Sequence, residues 1–510
     1  MPRVYPTIAL EFEFSTGAWT DRWADVIAQS KLKASYGIKG FLPTQRVASS
    51  GKMTFQLNNG ENNSQSTLGL YSPGHTNAQS GFEIGTAVRL KITYGGIDYY
   101  KFYGTIREIL PNTGKYGKRV TAVTVVDFMT DMAEHKLDLL AVSTNSTSNQ
   151  VASAIIANMT RQPNSSDIEV GQSVFAYAGD GLKDEKTTAL AGLQRTVMSE
   201  FSYAYTIGDT SGGGKFRYED RHARVTNTTV VAALTENELT ELVPVRSDKN
   251  IFNKVEAKTF PRNVGVANEV LYSAPNPVSI GPSNTETIIA RYRDPNQESA
   301  RIDGTTMVTP VKDTDYKFGS SEGGSANDMN DSLGVTVTFG ANSAKIELTN
   351  NAATSGYLNL MQLRGLAIRM FDSATALSED STSQKAYGDR PLALSLLYQD
   401  SVLEGQDFAD ITLSTWKDPR NLLKTAGFWG NQDATRLVDA LEVEPGSRVS
   451  LSESLSATNE EYFVNGVDLV ISPTEVLFCR WYPVPASDAN YWLLGEVGAS
   501  ELGETTILGF

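Results

Sequence analysis

The stretch Gly85-Thr-Ala-Val88-Arg-Leu90, continued by Tyr100-Lys-Phe102-Tyr-Gly104-Thr-Ile106 and Val120-Thr-Ala-Val123-Thr-Val125, has a second rendering near the other end of the chain. There the residues are Gly446-Ser-Arg-Val449-Ser-Leu451, then Tyr462-Phe-Val464-Asn-Gly466-Val467, then Val476-Leu-Phe-Cys-Arg-Trp481. Each copy has a glycine turn before alternating apolar residues, an aromatic strand ended by glycine, and a closing β-branched or aromatic strand. Alternation with period two marks half-buried strands, and glycines mark the turns between them. The similar spacing predicts a duplicated β domain whose copies are separated by a long insertion. One chain with two equivalent domains can match sixfold symmetry with three chains.

The chain has 510 residues, too many for one compact core, so three or four domains are expected. An apolar fraction of 40% supports ordinary globular cores. No stretch approaches the roughly 20 apolar residues of a membrane helix. The opening Met1-Pro-Arg-Val-Tyr-Pro6 lacks the basic-then-apolar run of a signal peptide, which predicts synthesis in a cytoplasm. The single cysteine, Cys479, rules out an intrachain disulfide, and its apolar setting predicts a packed thiol. A net charge of −15 argues against duplex DNA as a groove-bound partner but suits a wall that DNA slides past.

Working outward from the repeat, residues 1–135 read as a first strand-rich domain. Ile8-Ala-Leu10-Glu-Phe12-Glu-Phe14 alternates, which predicts Glu11 and Glu13 on a wet face. Met53, Phe55 and Leu57 point one way, and residues 58–85 form a long polar loop. Residues 136–245 read as a small α+β domain. Val151, Ile155, Ile156 and Met159 share one face of a helix; Leu190, Leu193, Val197, Met198 and Phe201 share another, with Asp184 placed to cap it. Ala204–Ile207 and Lys215–Tyr218 read as a hairpin with the long tip Gly208–Gly214. Residues 246–264 return the chain to strand. Residues 265–366 carry three alternating runs, 335–339, 344–348 and 357–361, and read as an inserted β-sandwich. Residues 367–510 hold a helix near Gln399–Trp416 and then the second copy of the repeat. The fold class is therefore mainly β with α+β insertions: two barrel-like or sandwich-like domains, a small α+β domain and an inserted sandwich.

Signatures of chemistry were sought and not found. His75, His135 and His222 lie far apart beside one cysteine, so no zinc spacing is available. No Gly-x-Ser-x-Gly elbow exists for a serine triad. Gly212-Gly-Gly-Lys215 lacks the earlier glycine and the Ser/Thr of a phosphate loop, and reads as a strand connection. Asp303-Gly304 and Asp313-Thr-Asp315 lack a calcium-loop pattern and read as turns. The 59 acidic residues single out no pair for glycoside hydrolysis. Tyr99-Tyr100, Phe102-Tyr103 and Tyr491-Trp492 read as core or interface aromatics. No catalytic, cofactor-binding or metal residue is assigned, and the expectation is a structural protein rather than an enzyme.

Two terminal stretches and two internal ones carry a family resemblance. The opening pattern is Trp19, Trp23, Val26, Gly37-Ile38, Arg46-Val47, Gly51, Phe55-Gln-Leu57-Asn58-Asn59, Tyr71-Ser72-Pro73, Gly85, Val88-Arg89-Leu90 and Tyr103-Gly104. It resembles the first domain of tail tip hub proteins of long-tailed phages. The ending, Tyr491-Trp492-Leu-Leu494-Gly495-Glu-Val-Gly498-Ala-Ser500-Glu501-Leu502-Gly503-Glu-Thr505-Thr506, is similar to their terminal motif. Asn253-Lys-Val255, Pro261-Arg262 and Ala386-Tyr387-Gly388-Asp-Arg390 also fit.

Such hubs resemble the baseplate hub of contractile-tailed phages, a homotrimer. The resemblance implies that 1–135 and 367–510 are tube-like hub domains forming a pseudo-hexameric ring that continues the tail tube. It implies a virion protein of the tail tip, assembled in the host bacterial cytoplasm, that adapts sixfold to threefold symmetry and opens for genome ejection. The implied partners are the distal tail protein ring, the C-terminal end of the tape-measure protein, a tail fibre or central spike, and DNA in passage without specific binding, past acidic lumen residues. The sequence departs from larger hubs in showing no fused peptidase, lysozyme or fibre domain. Two rival readings remain: a receptor-binding tail protein whose 265–366 module recognises host glycan, and a tail-tip glycosidase.

Overall fold

The computed structural model describes residues 3–27, 30–114, 117–182, 186–323, 327–474, 476–489, 491–492 and 507–508. Asp184 and most of the terminal motif 491–506, including the Trp492 side chain, lie outside the described residues.

Thirteen strands make one large sheet. Those from the first part of the chain are β1 (Thr7–Ser15), β2 (Ala18–Asp21), β3 (Leu32–Gly37), β4 (Lys52–Asn58), β5 (Ala87–Tyr94), β6 (Ile97–Asn112) and β7 (Val120–Val126). The rest are β8 (Val230–Leu234), β9 (Leu239–Val245), β10 (Leu422–Trp429), β11 (Arg448–Glu453), β12 (Thr458–Ile471) and β13 (Leu477–Pro485). Their order is β9-β10-β13-β12-β3-β4-β7-β6-β5-β1-β2, with β11 on the remaining part of β12 and β8 on β11. The protein is mainly β, and this sheet is open.

Alternation explains the inner face. Met53, Phe55 and Leu57 of β4, Val123 and Val125 of β7, and Leu469, Ile471, Cys479 and Trp481 of β12 and β13 are all buried in one apolar cluster. That cluster also takes in Leu70, Tyr71 and Phe82 from the 58–85 loop. The loop is thus polar in composition yet folds three large side chains under the sheet, each stabilising by about 2–3 kcal/mol relative to exposure. One departure from simple alternation appears at Glu11 of β1. Glu11 is only 8% exposed, because Arg89 Nε at 2.6 Å and Lys91 Nζ at 3.1 Å pair with it from β5. Glu13 does reach solvent, accepting from Gly17 N. A strand with neighbours on both sides can bury a carboxylate on its polar face when cations meet it there.

Between the halves of the sheet lies the α+β unit. Its helices are α1 (Phe128–Glu134), α2 (Ser148–Asn158), α3 (Ala189–Glu200) and the single turn α4 (Ala223–Thr226). The cap of α3 is Thr188, whose Oγ1 accepts from Ala191 N at 3.2 Å, adjacent to the helix where Asp184 is not. The expected hairpin is present, Tyr203–Gly208 against Gly214–Glu219. Val151, Ile155, Leu193 and Val197 pack with Phe216 and Tyr218 in a second core.

The inserted module is organised on one long strand, Gly356–Met370, to which five shorter strands pair. A three-stranded sheet of Thr285–Arg291, Ser343–Asn350 and Leu333–Phe339 shares its core through Ile346, Leu348, Leu358 and Leu363. A further small sheet sets Lys254–Thr259 between Ala374–Glu379 and Pro391–Leu396, covered by the helix Val402–Trp416.

Candidate assembly interface

The repeat read in the sequence is present as two three-stranded meanders, β5-β6-β7 and β11-β12-β13. In the first, Gly85 N donates to Ile106 O at 2.8 Å and Ile106 N to Thr86 O at 3.0 Å. In the second, Gly446 N donates to Val464 O at 2.8 Å and Val464 N to Ser447 O at 2.9 Å. Ile106 is therefore the counterpart of Val464. Both middle strands then carry a β-bulge at the same place, between Ile106 and Glu108 and between Val464 and Gly466. Beyond the bulge the rungs correspond one by one: Ile109 opposite Val123 matches Val467 opposite Trp481, and Asn112 opposite Val120 matches Val470 opposite Phe478.

The match corrects the sequence alignment. Reading Tyr100–Gly104 against Tyr462–Gly466 set the two glycines together, whereas the ladder sets Gly104 on Tyr462 because Val88 and Val449 are their partners. The slip is four residues, and alternation could not reveal it because extra residues at Lys101, Arg107 and Asn465 break the period of two within these strands. The repeat also extends further than the sequence shows. Phe55 of β4 pairs with Val123 as Ala426 of β10 pairs with Trp481, and β3 flanks β4 as β9 flanks β10.

The copies join inside the chain through β3 and the second half of β12, antiparallel from Leu32 opposite Ile471 to Gly37 opposite Gly466. Gly37 has φ +83, and a Cβ there would lie 2.6 Å from Asn465 O. Asp468 crosses the seam, accepting from Ser35 Oγ at 2.5 Å and pairing Lys39 Nζ at 3.0 Å. Both bulge residues reach toward the α+β unit. Arg107 pairs with Asp131 of α1, and Asn465 Oδ1 accepts from Arg224 Nη1 of α4 at 2.7 Å. Arg224 itself is buried, pairs with Glu219 at 3.0 Å and lies 3.5 Å over the Tyr203 ring. A bulge turns one side chain out of its ladder, and here both copies use it to hold the same neighbouring unit.

A second tie runs through Lys101. Its ammonium is 1% exposed, pairs with Glu444 and donates to Leu441 O at 2.8 Å. Burial pushes the Glu444 carboxyl above its ordinary range, and Lys101 opposes that. A cleft of about 200 Å³ lies beside this tie and is lined in part by Lys101, Thr105, Asp127, Asp131, Arg161 and Thr206. Within it Asp127 caps α1 and accepts from Gly51 N at 2.8 Å. Burial pushes the Asp127 carboxyl up to about 6.

Residues singled out in the sequence have structural partners. Gly212, at φ +87, offers its carbonyl to Arg89 Nη1 at 3.2 Å, and Lys215 pairs with Asp209 at 3.0 Å. Asp315 is held by Arg364 at 2.6 and 2.8 Å, and Asp313 accepts from Asn330 Nδ2. His75 is exposed and accepts from Asn77 N, His135 ends α1, and His222 precedes α4. Phe102 is in the core, and Tyr103 meets Trp19 edge-on at 6.2 Å. Cys479 is buried, which pushes its thiol up to about 12.

On the face of the sheet away from the core, Lys33, Lys52 and Arg480 alternate with Glu108, Asp468 and Glu241. Arg480 pairs with Glu241 at 2.7 Å and approaches Asp468 at 3.9 Å.

No protein-family model and no curated protein matches the chain. Solved structures similar to it over nearly its whole length include phage tail proteins. A tail protein from Neisseria meningitidis MC58 is 11% identical, with a TM-score of 0.49, covering 95% of this chain and 99% of that one. The 43 kDa tail protein of prophage MuSo2 from Shewanella oneidensis is 11% identical, with a TM-score of 0.48, covering 95% and 98%. Prophage tail protein gp18 from Listeria monocytogenes EGD-e is 8% identical, with a TM-score of 0.41, covering 93% and 94%.

Proposed function

We propose that the chain is the subunit of a homotrimeric hub at the tip of a phage tail, where it closes the tail tube and adapts its sixfold symmetry to a threefold tip. The observation that carries this is the duplication: two meanders with matching glycine turns, bulges and rungs, joined edge to edge inside one polypeptide. Two equivalent units in one chain let three chains supply six, which matches a sixfold tube while leaving threefold features for the rest of the chain. The inserted module and the small helix-covered sheet belong to one chain in each pair of units, so they repeat three times around such a ring.

The distal tail ring would meet one rim, the tape-measure end would enter the lumen, and a fibre or spike would seat on the threefold side. Opening for genome ejection would separate or tilt the inner domains so that DNA can pass. Such a protein acts by assembly and movement, with no chemical step. The test is the mass of the purified protein in its native state, with rotational averaging of images of tails that contain it. Three copies with pseudo-sixfold density support the hub; a stable monomer absent from the tail axis overturns it.

A further inference from the structure

We infer that neighbouring copies of this chain join by pairing β9 of one with the second half of β6 of the next, in the register that sets Val243 opposite Asn112. The inference rests on the trimeric reading above and supplies its contact. Inside the chain, the outer edge of β12 beyond its bulge is covered by β3. The counterpart of that edge is β6 from Glu108 to Asn112, which pairs only with β7 on its other side. The counterpart of β3 is β9, which pairs only with β10. Among the described residues both edges are without a strand partner, and they are the two halves of a contact the chain already makes once.

The effect of the missing strand is visible in burial. Val467 is fully buried beneath the β3 seam, while its counterpart Ile109 is only half-buried. Leu469 is likewise buried, and its counterpart Pro111 is half-buried.

The register follows from the ladders. Thr54 and Thr425 are counterparts, and they pair with Lys33 and Val243 respectively. Lys33 faces Val470, whose counterpart is Asn112, so Val243 comes to face Asn112 of the neighbour. On the next rung Ala34 faces Leu469, and their counterparts are Pro244 and Pro111. Ile38 N donates to Asn465 O, and bonded rungs alternate in an antiparallel pair, so Ala34 and Leu469 form a bonded rung. Two prolines facing each other there leave no N–H without an acceptor. A slip of two residues, the smallest that keeps the bonded rungs and the faces, would set each proline against an N–H and orphan it on burial. Before assembly the same prolines blunt both edges against wrong pairing. Lys424 bulges from β10 beside Pro244, while the extra residue of β9 itself, Thr240, lies before the rungs proposed to pair. The contact is head-to-tail, each chain offering one edge of each kind, which is the kind of contact a ring of three requires.

The test is oxidation of the full chain carrying V243C and N112C, with buried Cys479 left in place. Val243 and Asn112 would share a non-bonded rung, whose close spacing suits a disulfide. The expected result is cross-linked dimer and trimer, at least about tenfold more than in a V243C/L110C control shifted by two residues. Neither single variant should cross-link. Hydrogen exchange of the unsubstituted protein provides a second reading: amides in 107–113 and 242–247 should be protected in the assembled form and exposed in the dilute monomer. A native trimer with no cross-link, equal cross-linking off register, or no protection overturns this pairing while leaving the trimer standing. A native monomer overturns the hub reading itself.

Discussion

Gly85 and Gly446 hold the same backbone angle, φ +91, and each donates its N–H across to the middle strand of its own meander at 2.8 Å. Their surroundings differ. A Cβ on Gly85 would meet nothing within 4 Å, whereas one on Gly446 would lie 2.2 Å from Glu219 Oε1 and 2.5 Å from the Tyr205 hydroxyl.

Substituting alanine at each should therefore separate backbone strain from crowding. Gly85→Ala should cost about 1–2 kcal/mol from the left-handed angle alone. Gly446→Ala should cost more, on the order of 3 kcal/mol, because Tyr205 and Glu219 are buried partners that must shift. Chemical denaturation of both variants measures the difference, and equal losses would contradict the crowding at the second turn.

Lys101 and Glu444 form a buried pair between β6 and the segment leading into β11. Replacing Lys101 by methionine strands a carboxylate and should cost about 3 kcal/mol or more. Adding Glu444→Gln should recover a substantial part of that loss. A double-mutant cycle in urea tests the coupling, and additive losses would mean the pair is not a unit.

Asp439 and Asp127 both have carboxyls pushed up to about 6, in each case first by burial. At Asp439 the nearby Asp433, Glu442 and Glu238 push the same way, against Arg436. A raised carboxyl favours the protonated folded state, so its stabilising effect is complete below the unfolded value near 3.9 and is lost as pH rises through about 6. Lowering the pH from 7 to 5 should raise the urea midpoint. Asp439→Asn should flatten that rise, with a change on the order of 1–2 kcal/mol. An unchanged slope in the variant would show that Asp439 is not the group responsible.

Cys479 should be inert in the folded protein, because its thiol is buried and pushed up to about 12. A thiol reagent at pH 8 should label the chain only after unfolding. Rapid labelling of the native protein would require the β12–β13 region to open, and would place that seam among the first to move.

Much of the repeat was legible because glycine turns and period-two alternation are local properties. Gly85 and Gly446, with the apolar runs after them, were matched correctly from residues alone. The middle and closing strands were not: bulges at Lys101, Arg107 and Asn465 break the alternation of the middle strand, and the closing strand slips by two residues, which leaves its faces unchanged. The kinship of β4 with β10 was invisible: Lys-Met-Thr-Phe-Gln-Leu-Asn and Leu-Leu-Lys-Thr-Ala-Gly-Phe-Trp share little beyond β propensity. The candidate interface was not legible at all, since an edge is bare only relative to what the rest of the chain covers.

The sequence by itself determined the strand class, the glycine turns and the inserted apolar alternation of 335–361, because each depends on residues near one another in the chain. Only the tertiary structure decided that the two copies share one sheet, that Asp468 and Ser35 meet across their seam, and that β6 and β9 are left with open edges. Those are relations between segments hundreds of residues apart, set by backbone hydrogen bonds that carry no side-chain signature.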